Sequence, residues 1–125
     1  MNEEVAKLIQ KSKHALEVSK TLSSKGYISD ASSKIYYAMF YAARALLVSG
    51  SIDVSKHSAV EAAFGFHYVK PGKIDSKYHK MLIEARKVRE IADYGFEDQF
   101  LEDEPAITVS DGEAFLSVVK HLLNI

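Results

Sequence analysis

One apolar stretch sets the architecture of this 125-residue chain, because residues 35–48 read IYYAMFYAARALLV and carry a single charge, Arg44. A helix with this pattern is apolar nearly all round, which is typical of a helix that is buried on every side. The run from residue 35 to residue 43 is far shorter than the roughly 20 residues needed to cross a bilayer. The stretch therefore predicts the central helix of a soluble bundle.

Helical spacing of apolar residues continues on both sides of this stretch. It predicts a first helix over about residues 3–24, ended by Gly26, and it places the start of the central helix at the N-cap candidates Ser29 and Asp30. A third helix is expected after Ser55. Its core face would consist of Val60, Ala63, Phe64, His67 and Tyr68.

Two more helices are predicted in the second half of the chain. A long one runs from Asp75 to about Tyr94 and stops at Gly95, and a short last one opens with the capping-box spacing of Ser110 and Glu113. An acidic loop over residues 97–104 separates them. Short turns between successive helices imply antiparallel neighbours. We therefore predict one all-α domain over residues 1–125, an up-and-down antiparallel helical bundle of four to five helices.

Composition excludes several classes of protein. The net charge of -1 argues against a protein that coats nucleic acid by bulk charge, and the absence of cysteine excludes disulfides and cysteine-based zinc sites. The five histidines lack metal-ligand spacing, so no metal or cofactor is expected. The N-terminus shows no secretory signal, and a cytoplasmic protein is predicted. Although the net charge is close to zero, positive charge is concentrated in the first part of the chain, because 15 of the 16 Lys and Arg precede residue 91.

The first candidate site is a stripe on the fourth helix. Arg86, Arg89 and Asp93 fall at i, i+3 and i+7, on one face. This stripe lies beside an apolar one, formed by Tyr78, Met81, Ala85, Val88 and Ala92. Two guanidinium groups can each bind phosphate oxygens bidentately, which favours an anionic ligand. Alternatively, Asp93 neutralises Arg89 as an ordinary surface pair.

Two other sets of residues are candidates for ligand binding. Tyr37, Tyr41 and Arg44 share a face of the central helix and form either an aromatic pocket with a basic end or part of the core. Lys56 and His57 stand at the start of the third helix, where the helix dipole favours an anion. Otherwise, Lys56 is solvated and His57 packs beside Glu61.

Three segments together resemble the HEPN superfamily, and in particular its small stand-alone prokaryotic members. They are SSKIYYAMFYAARALL at residues 32–47, SKHSAV at residues 55–60 and REIADY at residues 89–94. The resemblance covers nearly the whole chain. It implies a bundle of four to five helices that is usually dimeric and is often paired with a minimal nucleotidyltransferase as a toxin-antitoxin module.

The resemblance also implies a catalytic motif, since many members resemble metal-independent endoribonucleases with an Arg followed after four to six residues by a His. Arg89 matches the Arg, but the candidate positions for the His hold Tyr94, Gly95 and Phe96. Tyrosine has an ordinary pKa of about 10 and is a poor base near neutrality. His57 or Tyr94 would have to replace the missing His. In related toxins a tyrosine just after the motif receives AMP, and Tyr94 is the nearest hydroxyl.

These observations predict a HEPN-type domain that binds a nucleotide or RNA phosphate through Arg89 and Asp93, forms a homodimer and acts with a minimal nucleotidyltransferase. One alternative is a metal-independent endoribonuclease toxin. The other is a purely structural partner subunit, in which the charged stripe serves an interface.

Overall fold

A computed structural model of the chain describes residues 2–94 and 107–125, apart from the side chain of Tyr94. Within these residues the chain forms five α-helices and no strand. The helices are α1 (Glu3–Ser24), α2 (Ile28–Ser49), α3 (His57–Phe64), α4 (Ser76–Tyr94) and α5 (Val109–Leu122), and a π-helix (Gly65–Val69) follows α3 directly. The all-α prediction is confirmed. The predicted stop at Gly95 and the acidic loop lie outside the described residues.

Helix α2 is the centre of the bundle, as the sequence predicted. It packs against α1, α3, α4 and α5. Between residues 35 and 48, the side chains that stay partly exposed form a single stripe, which consists of Tyr37, Tyr41, Arg44 and Val48. The other side chains of this stretch are at most 5% exposed. One chain therefore covers its own central helix, and the apolar character of α2 does not require a second copy.

Helix α1 lies along α2 after a tight turn. Gly26 has a φ of +84°, a left-handed conformation that favours glycine, and this confirms the predicted end of the first helix. Ser12 and Ser19 are fully buried in α1. The Oγ of Ser12 donates a hydrogen bond of 2.7 Å to the backbone oxygen of Ala38. This bond satisfies a buried hydroxyl and ties α1 to the middle of α2.

Three predicted caps were wrong. Helix α2 begins after Tyr27 and α3 after Lys56, and neither cap residue makes a side-chain hydrogen bond. The capping box of α5 is formed by Thr108 and Asp111, because the backbone of Thr108 is extended and Val109 is already helical. Ser110 thus lies inside the helix. A cap depends on the backbone conformation of one residue, so apolar spacing places a helix end only to within a turn.

His67 was predicted to be a core residue and is exposed instead. Val60 and Phe64 are fully buried as expected, but the π-helix then replaces the α-helical repeat. Because a π-helix has more residues per turn, side chains beyond Phe64 no longer follow the spacing of 3.6 residues. Tyr68 still reaches the core side, where its hydroxyl donates a 2.9 Å hydrogen bond to the backbone oxygen of Leu46.

Helix α4 packs with the predicted apolar stripe. Ala85 and Val88 are fully buried, and Tyr78, Met81 and Ala92 are partly buried. Leu82, one residue beyond Met81, also belongs to the core. The side chains of the charged stripe stay partly exposed beside this packing, at 27% for Arg86, 17% for Arg89 and 33% for Asp93. None of the helices in the described part of the chain combines the length and the apolar character needed to cross a membrane.

Candidate functional site

The site is built on three ring side chains of α2, which we call the aromatic floor: Tyr36, Tyr37 and Phe40. Tyr36 and Phe40 are 2% and 5% exposed, whereas Tyr37 is half-buried. The ring centroid of Tyr36 lies 5.4 Å from that of Tyr37 and 6.1 Å from that of Phe40. Adjacent positions and a spacing of four residues bring these rings together on one side of the helix.

His57, the first residue of α3, lies against the aromatic floor. Its ring centroid is 4.5 Å from Phe40, 5.5 Å from Tyr36 and 5.9 Å from Tyr37. Burial lowers the pKa of His57 below its ordinary value of 6.5, and the positive charge of Arg89 lowers this pKa further. The imidazole is therefore neutral at pH 7, which is the state in which it can accept a proton.

Arg89 of α4 lies against the same rings. Its guanidinium carbon is 5.4 Å from the ring centroid of Tyr37 and 5.9 Å from that of Tyr36. These are cation–π distances. The side chain of Arg89 is only 17% exposed, so it is largely buried. Arg89 and His57 thus come from different helices and contact one pair of rings.

Asp93 holds Arg89 and also links α4 to α2. Its Oδ2 lies 3.0 Å from Nε of Arg89, and its Oδ1 accepts a 2.8 Å hydrogen bond from the hydroxyl of Ser33. The Nε group of Arg89 is buried and makes no aligned hydrogen bond within the described residues. The contact with Asp93 is therefore an ionic approach rather than a hydrogen bond. The predicted Arg89–Asp93 pair exists, and it leaves donor capacity on the guanidinium.

The guanidinium of Arg86 is already bound by two carboxylates of the protein. Its Nε donates a 2.9 Å hydrogen bond to Oε1 of Glu61, and its Nη1 donates one of 3.0 Å to Glu90. These two bonds raise the pKa of Arg86, so it remains fully charged. The backbone oxygen of Glu61 also lies 3.0 Å from Nε2 of His79. Because a carbonyl oxygen only accepts, this nitrogen of His79 is the donor. Arg86 and His79 together fix Glu61, and hence α3, on α4.

Tyr36 is an unusual member of the floor because its hydroxyl resists ionisation. Burial and the negative charge of Glu61 raise the pKa of Tyr36 to about 12, although Arg89 opposes part of this effect. Tyr36 is thus a neutral hydroxyl at physiological pH. It can support the ring packing of His57 and Arg89, but it is unsuited to be a base.

The remaining predicted site residues lie elsewhere or are not described. Arg44 approaches Glu4 of α1 at 3.9 Å, and Tyr41 turns toward a groove between α1 and α2. Lys56 is exposed at the N-cap of α3, next to His57 but outside the aromatic floor. The side chain of Tyr94 lies outside the described residues, so its accessibility and its role as an AMP acceptor stay predictions.

Ser33 and Glu61 belong to the site but were not predicted as functional candidates. Ser33 lies four residues before Tyr37, and Glu61 lies four residues after His57. Each therefore shares a helix face with a residue that was singled out. This spacing was visible in the sequence. Their partners on α4 were not, because a contact between two helices depends on how the helices cross.

Histidine and carboxylate side chains do not assemble into a metal centre in the part of the chain that the structure describes, where no group of three or more of them could hold an ion. The site consists instead of one guanidinium, one neutral imidazole, an aromatic floor and the carboxylate of Asp93. This set can bind an anion through Arg89 and can exchange a proton through His57.

Comparison with known proteins adds family membership to this geometry. A family model described as "HEPN domain" matches residues 5–125. A Methanocaldococcus jannaschii protein named "Putative toxin MJ0142" is 33% identical over 120 residues, which cover 96% of this chain and 82% of that protein. A Thermotoga maritima "UPF0332 protein" is 32% identical over 114 residues, which cover 91% and 86% of the two chains. The chain belongs to the HEPN family.

Proposed function

We propose that this HEPN protein is a toxin-like RNA-binding protein and that the phosphate of a bound RNA or nucleotide lies at Arg89. The observation that carries the proposal is the placement of Arg89 and His57 on one pair of rings, Tyr36 and Tyr37. The names of relatives from Methanocaldococcus jannaschii, which include the word toxin, support the toxin-like role. A phosphate would add an acceptor for the guanidinium beside Asp93.

We extend the proposal to a partner. The resemblance to small prokaryotic HEPN proteins supports a minimal nucleotidyltransferase as the second component of a toxin-antitoxin module in the cytoplasm. The residues available to such a partner include exposed Lys56 at the start of α3 and the half-buried edge of Tyr37. A partner bound there would control access to Arg89 and His57.

A second candidate function is metal-independent RNA cleavage, which the position of His57 favours. Neutral His57 would take the proton of a ribose 2′-hydroxyl, and the 2′-oxygen would attack the adjacent phosphorus. The bond from phosphorus to the 5′-oxygen then breaks, and the leaving oxygen takes a proton from water. The hydroxide formed from that water takes the proton held by His57, which returns the imidazole to its neutral form. The products are a 2′,3′-cyclic phosphate and a 5′-hydroxyl. Arg89 would stabilise the negative charge that develops on the phosphoryl oxygens.

One experiment tests both functions. The purified chain is mixed with fluorescein-labelled single-stranded RNA in excess EDTA, and both binding and the formation of 2′,3′-cyclic phosphate ends are measured. Arg89→Gln is expected to weaken binding by about tenfold or more, because a charge-assisted hydrogen bond contributes about 1.5–3 kcal/mol. His57→Gln is expected to retain binding and to abolish cleavage.

Arg44→Gln is the matched control for Arg89→Gln. Arg44 is also a largely buried arginine, with 20% of its side chain exposed, and its Nε group likewise makes no hydrogen bond within the described residues. Within the described residues the Arg44 guanidinium has no cation–π contact with the aromatic floor, whereas that of Arg89 has two, so the loss of Arg44 should weaken RNA binding much less. His67→Gln is the control for His57→Gln. Equal losses in Arg89→Gln and Arg44→Gln would contradict phosphate binding at Arg89 and would favour a purely structural role of the stripe.

A further inference from the structure

We propose that a groove between α1 and α2 is a second RNA-binding surface, which takes unpaired nucleotides of the same strand whose phosphate lies at Arg89. This inference rests on the proposed function and extends it. It assigns binding roles to Lys11, His14 and Lys34, which belong neither to the charged stripe of α4 nor to the aromatic floor.

The groove has a volume of about 710 Å³ and combines aromatic and cationic side chains. Its apolar part includes Tyr37 and Tyr41, which are half-buried on α2. Its edges carry Lys11, His14 and Lys34, all exposed. Among the described residues that line the groove, none has a carboxylate. The local electrostatic potential therefore favours an anion, although the whole chain is nearly neutral.

The groove is continuous with the candidate site through Tyr37. The guanidinium of Arg89 lies 5.4 Å from the Tyr37 ring, and the Tyr37 and Tyr41 rings are 6.0 Å apart and inclined by 31°. Nζ of Lys11 then lies 5.4 Å from the Tyr41 ring. Along this path a cation is followed by two aromatic rings and then by a second cation. A strand whose phosphate is at Arg89 can thus place its next bases beside the two rings.

This alternation matches single-stranded nucleic acid better than other anions. Proteins that bind single strands combine a positively charged groove with aromatic rings on which the bases stack. The bases of a duplex are already stacked on each other and cannot use Tyr41 in this way. An acidic polypeptide would pair with the lysines but would gain nothing from the planar faces. The ring pair therefore selects an unpaired strand.

The test measures fluorescence anisotropy of the full-length chain with a fluorescein-labelled decauridylate, and competition by diuridylate. Tyr41→Leu is expected to weaken decauridylate binding by about fivefold to 100-fold, the range that loss of one stacked base implies, and to leave diuridylate unaffected. Tyr41→Phe keeps the ring and should bind as the wild type does. Lys34→Gln should weaken decauridylate binding and reduce its dependence on salt.

Arg89→Gln separates the failure of this inference from the failure of the proposed function. If Arg89→Gln weakens both oligonucleotides while Tyr41→Leu and Lys34→Gln weaken neither, the groove proposal is overturned and the phosphate site stands. If Arg89→Gln weakens neither oligonucleotide, the proposed function fails, and with it this extension. Equal sensitivity of an RNA duplex or of polyglutamate to Tyr41→Leu would overturn the assignment to single-stranded RNA.

Discussion

At the scale of single residues, the proposed RNA cleavage requires a base, and our proposal gives that role to His57. The HEPN resemblance places the catalytic His a few residues after Arg89, where this chain has none. The fold brings His57 from another helix onto the rings that Arg89 contacts. Burial and Arg89 both lower the pKa of His57, so its neutral form is available over a wider range of pH than that of an exposed histidine.

The lowered pKa predicts how stability depends on pH. In the unfolded chain His57 titrates near 6.5, whereas in the folded protein it titrates at lower pH. Between these values the unfolded state binds the extra proton, so the free energy of unfolding decreases as pH falls below about 6.5. The slope from this group is at most about 1.4 kcal/mol per pH unit. Urea denaturation between pH 5 and pH 8 measures how the free energy of unfolding changes with pH.

His57→Gln is expected to reduce this acid-side slope, because glutamine does not titrate. His67→Gln, on the exposed surface of the π-helix, is the matched control and should retain the wild-type slope. A His57→Gln protein whose stability falls with acid as steeply as that of the wild type would show that the imidazole is not desolvated on the aromatic floor.

At the scale of elements, the contact between α3 and α4 determines where His57 lies relative to Arg89. Glu61 is the centre of this contact, since its side chain accepts from Arg86 and its backbone oxygen accepts from His79. His79 in turn occupies the space beside Gly65. A Cβ atom on Gly65 would lie 2.8 Å from Cε1 of the His79 ring, closer than van der Waals contact allows.

Gly65→Ala is therefore expected to displace His79, weaken its bond to Glu61 and destabilise the protein by about 1–3 kcal/mol. Helix propensity alone predicts the opposite, a gain of up to about 1 kcal/mol. Chemical denaturation decides between these signs. The double variant Gly65→Ala, His79→Ala removes the clash, so its loss should be smaller than the sum of the two single losses. A stabilised Gly65→Ala protein would contradict the close packing.

The elements also show what the sequence could and could not predict. Apolar spacing correctly gave the central helix α2 and the apolar stripe of α4, because both depend on the repeat within one helix. The repeat fails where the helix itself changes, as at the π-helix that turns His67 outward. It also contains no information about crossing angles. The placement of His57 and Arg89 on the same pair of rings could not be predicted from spacing. The same holds for the hydrogen bond from Ser33 to Asp93.

At the scale of the whole molecule, the homodimer remains a prediction that rests on the HEPN resemblance. The apolar character of residues 35–48 would favour a second copy only if that stretch were exposed, and the fold buries it within one chain. A dimer contact through α2 would have to use its half-exposed stripe, which includes Tyr41. The proposed RNA groove needs Tyr41 to be free, so we expect the second copy to bind on α4.

Light scattering at micromolar concentration is expected to give about twice the 13.9 kDa mass of one chain.

The absence of cysteine allows a sharper test, because one introduced thiol reports on one position. Lys87, exposed on α4, and Ser117, exposed on α5, are matched surface positions. Near a twofold axis identical residues of two copies approach each other, so under oxidising conditions Lys87→Cys should form an intermolecular disulfide faster than Ser117→Cys. Equal rates would place the contact away from α4, and a mass of one chain would exclude the dimer at that concentration.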